Sequence, residues 1–228
     1  MAKKSITTEP LTLQHDEMGR VSFPTVFEPR ETVINGISNG KKQYSLTLLF
    51  PKGPGKSFPE VCRNTKGASR IVDMVLKCKR EAFGDGKVAN FKWPFGDGDE
   101  KFEEKPETYG AYKGMVYVRL TANEDRRPGV VNRKVEPILD PAEFYAGCWA
   151  IVSCAAWSFE NVSKGVGINL LAVQKIKDDA RLAGGGTVDP QSVFTKAAGD
   201  DQTDDFQVQT AAGNEEDFWN GQTEDAAF

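Results

Sequence analysis

Between Lys41 and Lys52 the sequence reads KKQYSLTLLFPK, and side chains alternate between two faces of an extended chain. Tyr44, Leu46, Leu48 and Phe50 fall on one face; Ser45, Thr47 and Leu49 fall on the other. GMVYVRLTAN repeats the pattern, with Val116, Val118 and Leu120 directed inward and Met115, Tyr117, Arg119 and Thr121 outward. A period of two suits a strand and not a helix, so these segments demand a sheet with one face on a core. VSFPTVFEPRETVING is rich in branched and aromatic residues and closes on the turn dipeptide Asn35-Gly36. CWAIVSCAAWSF and GVGINLLAVQKIKD are two more strands, joined as a hairpin by ENVSKG.

One segment breaks the pattern. ASRIVDMVLKCKREAFGDG places Ile71, Val72, Val75, Leu76 and Phe83 near helical spacing, and GDG stops the helix. KGPGKSFPE before it is a Gly/Pro loop, and residues 84–113 hold too much Gly, Asp and Pro for a regular element. RRPGVVNRK reads as a basic turn, and EPILDPAEFYAG as a connector with a short helical turn. Residues 1–20 read as a flexible arm, 21–183 as one folded domain and 184–228 as a disordered acidic tail. Antiparallel strands with long loops and one inserted helix predict a mainly β, OB-fold-like Greek-key barrel. A β-sandwich is the other architecture this pattern allows.

Several chemistries lack their residues. The four cysteines, Cys62, Cys78, Cys148 and Cys154, form no CxxC pair, and the single histidine, His15, lies in the arm. A zinc site and a histidine-based nucleophile are therefore not expected, and the cysteines read as small buried hydrophobes. PKGPGKSF departs from the spacing of a phosphate-binding loop because Gly53 and Gly55 stand too close together. No catalytic residue, metal or cofactor is assigned. Asp97, Asp99 and Glu100 are the carboxylates that a metal-dependent nuclease would use, and they keep that reading open.

Rings and cations instead gather in the middle of the chain. Single-stranded nucleic acid is held by cations that track phosphates and by flat rings on which bases stack. NFKWPF supplies Trp93; TYGAYKGMVYVRL supplies Tyr109, Tyr112, Lys113, Tyr117 and Arg119. EDRRPGVVNRK adds Arg126, Arg127, Arg133 and Lys134, and GKKQY adds Lys42 and Tyr44. These residues are expected to converge in one trough. Tyr44 also shares the face of Leu46 and Leu48, which suits a core ring equally well.

The charge is divided unevenly. Residues 189–228 carry ten Asp or Glu and one Lys, a balance of −9, whereas residues 1–188 balance at +5. Each acidic cluster of the tail carries a ring, and the sequence closes on EEDFWNGQTEDAAF. Phe218, Trp219, Glu224, Asp225 and Phe228 suit capture of a chain terminus by a partner pocket rimmed with cations.

RPGVVN, DPAEFYAGCWAIVSCAAWSF and GVGINLLAVQKIKDDARLAGG resemble a family of tailed-phage single-stranded-DNA-binding proteins. The likeness runs from about Val21 to Gly186, and the acidic tail ending in Phe extends it. It implies an OB fold, sequence-tolerant binding of single-stranded DNA and a role in phage DNA replication or recombination. The tail is expected to recruit polymerase, helicase or recombinase through its ring-bearing acidic motif. No segment reaches the length of about 20 apolar residues that spans a membrane, so a phage product in the host cytoplasm is expected. An exposed strand edge leaves room for a homodimer. A virion assembly protein with a docking tail is the remaining alternative.

Overall fold

The computed structural model describes residues 5–34, 37–161 and 163–182. Its first strands are β1 (Leu11–Thr12), β2 (Gly19–Ile34) and β3 (Ile37–Pro51). Helices α1 (Phe58–Asn64) and α2 (Ala68–Phe83) follow, then the short strand β4 (Phe95–Asp97). Helices α3 (Gly98–Glu104) and α4 (Pro106–Tyr109) lead into β5 (Met115–Asn123), β6 (Gly129–Val131), β7 (Trp149–Glu160) and β8 (Lys164–Lys177).

Strands β2, β3, β5, β8 and β7 pair in that order, and β7 returns to β2, so the sheet closes. The closing contact is antiparallel, Gly19 opposite Ala150 and Arg20 opposite Trp149. Only the β5–β8 junction in this ring is parallel, at Thr121 and Asn169. This is the Greek-key barrel of the OB fold, and closure excludes the sandwich. The first half of β5 takes β4 on its outer edge, which leaves β8 to pair near its end.

Alternation builds the core directly. Leu46 faces Leu120, Leu48 faces Val118 and Phe50 faces Val116 across the β3–β5 ladder, and all six are buried. Each such side chain contributes about 1.5–3 kcal/mol when fully removed from water. Helix α2 adds Ile71, Val72, Val75 and Cys78 to the same core. It ends as its sequence predicts: Gly84 has φ +77°, and its N–H donates to the Arg80 carbonyl at 2.9 Å. The four cysteines are free and buried, and burial pushes the Cys154 thiol up to about 12. Tyr44 joins this core at 7 % exposure, so its assignment to the DNA-binding set is corrected. The reason is the parity that it shares with Leu46 and Leu48.

Two other expectations are revised. Residues 5–20 are no loose arm: β1 pairs with β7, Thr8 N–H donates to the Ala156 carbonyl at 2.9 Å, and Leu13 is buried. An unpaired edge of β7 needs covering, and a two-residue strand is too short to show a period. The inserted helix also has companions. Pro59 occupies the first turn of α1, where a missing N–H costs nothing. The turn-rich region contains α3, because the Asp97 carboxylate caps it by accepting from Asp99 N–H at 2.8 Å. The Asn35-Gly36 turn and the tail from residue 184 onward lie outside the described residues.

Candidate nucleic-acid interface

What the core takes from one face of β3 and β5 it leaves on the other. Thr47 lies opposite Arg119 and Ser45 opposite Thr121, so these polar side chains share the outer face. Ser22 and Thr25 of β2 pair with Thr47 and Ser45 and extend that face by one strand. Over it runs a groove of about 430 Å³, floored by Ser45, Thr47, Tyr117 and Arg119 and walled by Phe23, Trp93, Lys101, Tyr109 and Tyr112.

Two chains of rings meet there. Phe23, Tyr109, Tyr112 and Tyr117 follow one another with centroids 6.0, 5.0 and 5.9 Å apart. Phe83, Phe91, Trp93 and Phe95 form the second chain, at 5.6, 4.5 and 5.5 Å. Trp93 keeps 43 % of its surface exposed and Phe23 44 %, so both residues stay accessible from solvent. The backbone around Trp93 is laced on both sides. Lys92 N–H donates to the Lys164 carbonyl at 2.9 Å, and Arg119 N–H donates to the Pro94 carbonyl at 2.7 Å. Gly96 lies directly across from Tyr117, and a Cβ there would meet the phenol oxygen at 2.6 Å. The missing side chain lets the tyrosine lie down on β4.

The local charge is positive at the floor and buffered at the rim. Arg119 is exposed. Lys101 pairs with Glu104 at 2.6 Å, and that hydrogen bond raises the lysine above its ordinary value. Burial pushes up the Tyr117 phenol, while the nearby Lys101 ammonium works against the shift. Tyr112 is 4 % exposed, and burial raises its phenol despite side-chain hydrogen bonds with Ser22 and Thr47. It is a wall that orders its neighbours more than an open stacking surface.

The other sequence-assigned cations do not enter this groove. Lys113 lies 5.2 Å over the Phe102 ring. Lys42 lines a separate concavity with Gln43, Asn123, Glu124 and Asp125. Arg126 stands 3.9 Å from Asp125, and the Arg127 guanidinium lies 5.8 Å from the Phe27 ring centre. Arg133 and Lys134 line a third concavity with Lys175 and Lys177. The single trough is therefore corrected to one ring-lined groove and outlying cations. Connections between strands carry charges to different places around a barrel, so nearness in sequence does not bring them together.

Asp97 and Asp99, two of the three carboxylates, are already committed. Lys52 Nζ sits 2.5 Å from both Asp97 and Asp99, Asp97 caps α3, and Asp99 also accepts from Gly114 N–H at 2.6 Å. Among the described residues no group of three or more His, Cys, Asp or Glu is arranged to hold a metal. The nuclease reading loses its ligand set.

Phe23 and Lys101 belong to the groove although sequence reasoning passed them over. For Phe23 a signal existed: Pro24 inside a strand-like run marks a bulge, which re-aims the adjacent side chain. Lys101 had none, since α3 itself was hidden in a turn-rich segment.

Comparison with known proteins agrees with this architecture. Residues 15–207 match the family described as Enterobacter phage Enc34, ssDNA-binding protein. The structure of that phage's single-stranded-DNA-binding protein with its C-terminus truncated superposes with a TM-score of 0.53 at 30% identity, covering 78% of this chain and 88% of that one. The same phage protein in complex with ssDNA gives 0.52 at 29% identity, over 78% and 89%. Protein p50 of Acyrthosiphon pisum secondary endosymbiont phage 1 is 26% identical over 177 residues, 73% of this chain and 84% of that protein. The chain belongs to the family of the single-stranded-DNA-binding protein of Enterobacter phage Enc34.

Proposed function

We propose that this protein binds single-stranded DNA without strong sequence preference, in phage DNA replication or recombination, and that its role is binding rather than catalysis. One observation carries the reading: exposed Trp93 and Phe23, half-buried Tyr109 and Tyr117, and Arg119 line one groove on the outer face of an OB barrel. Every base has a π face, so stacking of about 1–3 kcal/mol per base tolerates sequence. A duplex offers no free faces between its base pairs, which favours the unpaired strand. The family relative solved in complex with ssDNA supports the same ligand class.

In this reading Trp93 and Tyr109 stack on bases, Tyr112 and Tyr117 shape the groove, and Arg119 meets phosphate. Lys42, Lys113, Arg126, Arg127, Arg133 and Lys134 serve as phosphate contacts beyond the groove. The test is a salt titration of binding to oligo-dT and to duplex of equal length, read by tryptophan emission. Preference for oligo-dT, weakening with salt, is the expected result; equal or absent binding of both defeats the proposal.

The sequence of the tail supports a second role. Phe218, Trp219, Glu224, Asp225 and Phe228 form a ring-bearing acidic motif suited to a basic, apolar pocket on a replication protein. Deleting residues 189–228 should leave DNA affinity equal or higher and abolish recruitment of a polymerase, helicase or recombinase. Recruitment that survives the deletion removes the tail from the account. Pairing of two copies through an exposed strand edge is a further element of the proposal, checked by sedimentation.

A further inference from the structure

Phe23 has a backbone that its side chain disfavours. Its φ is +45°, where a bulky L residue is a genuine outlier. Pro24 follows it, and the residue before a proline is pushed toward extended geometry. The ladder explains how the position arises. Ser22 pairs with Thr47 and Thr25 with Ser45, so β2 advances three residues while β3 advances two. The extra residue forms a bulge, a place where glycine usually supplies positive φ.

Here the bulge carries a phenyl ring and leaves 44 % of it exposed. The ring meets Tyr109 edge-on at 6.0 Å and 76° and Tyr112 at 6.4 Å, and it lines the same groove as Trp93 and Arg119. Strain held for packing would bury the ring. Strain that lifts a ring into a groove signals use at that groove. Among the described residues, the other non-glycine residues of positive φ differ. Asn90 is a residue type that tolerates this conformation, and Val135 lies in a turn stitched by Asn132, outside the groove.

We infer that Phe23 is a base-stacking residue whose strained bulge is kept for ligand binding rather than for folding. The inference rests on the single-stranded-DNA reading and adds to it a specific platform beside Trp93. Neither Tyr109 nor Tyr112 stacks parallel on the ring, and 44 % of the residue stays accessible to a base.

The experiment uses the full chain, a fluorescent oligo-dT and thermal unfolding. Phe23→Leu keeps apolar bulk and removes the flat face; Phe23→Gly also relieves the backbone; Phe23→Tyr keeps the ring. The leucine and glycine variants should lose about ten-fold in affinity, and the tyrosine variant should bind like the parent. The glycine variant should melt no lower than the parent, within about 4 °C. A leucine variant that binds like the parent overturns the inference, whatever its stability. So does a glycine variant that melts far lower while its folded fraction binds normally. A parent protein that does not bind oligo-dT overturns the proposed function together with this inference, whereas a parent that binds and a leucine variant that matches it overturn this inference alone.

Discussion

Thr47 and Arg119 are direct partners across the β3–β5 ladder, so the hydroxyl and the guanidinium leave the barrel on the same face. The pairs on either side, Leu46 with Leu120 and Leu48 with Val118, point into the core. Core and groove are thus fixed by one register. A slip of one residue would bury the guanidinium and expose the leucines, at a cost that the core could not sustain.

Arg119→Ala should weaken oligo-dT binding and lower the slope of log affinity against log salt by about 0.7, the value of one phosphate contact on a single strand. Arg119 is exposed, so its truncation removes little buried surface. Its melting temperature should match the parent's. An unchanged salt slope would assign Arg119 elsewhere than phosphate.

Trp93→Ala removes an exposed stacking face while leaving the Phe83–Phe91 contact at 5.6 Å in place. Affinity for oligo-dT should fall by about 1–3 kcal/mol. Most of the emission change on binding should vanish with it, although Trp149, Trp157 and Trp219 remain. Persistence of the full emission change would place the ligand near another indole.

Tyr44→Ala should behave in the opposite way. Its ring lies in the core at 7 % exposure, so truncation costs about 3 kcal/mol of stability. Binding per folded molecule should stay constant. A pure affinity loss with unchanged unfolding would return Tyr44 to the binding surface.

Lys52, Asp97 and Asp99 tie the end of β3 to the start of α3 and give stability a defined pH dependence. The hydrogen bond from Lys52 holds the Asp99 carboxyl below its ordinary value, and Gly114 N–H assists. Its contribution is present above the unfolded carboxyl value of about 3.9 and is lost as pH falls through the lower folded one. Burial by itself would lower the Lys52 ammonium, but the bonds to Asp97 and Asp99 outweigh burial and raise it. That contribution is complete below about 10.4 and lost as pH rises through the folded value. Urea midpoints measured between pH 6 and 3 should fall less steeply in Lys52→Met than in the parent. Parallel curves would show that the pair contributes no stability.

Much of the barrel is legible in strands that carry their own instructions. KKQYSLTLLF and MVYVRLTAN assign the inward face residue by residue, and Tyr117 and Arg119 follow outward from the same count. The helix from Ala68 to Phe83 is equally readable, because its apolar spacing and its GDG stop agree. Helix α3 is not, since Asp97 and Gly98 signal a turn and a cap with the same letters. The first strand is not either: Leu11 and Thr12 extend only because β7 offers them an edge.

The sequence by itself determined which residues face the core, where the long strands run and that rings and cations occupy the middle of the chain. Those properties depend on side-chain period and composition, which are local. Only the tertiary structure decided that Phe23 and Trp93 share a groove with Arg119, and that Lys42, Arg133 and Lys134 stand apart from it. Closure of β7 onto β2 and the path of each connection set those distances, and neither is encoded in any single window of the chain.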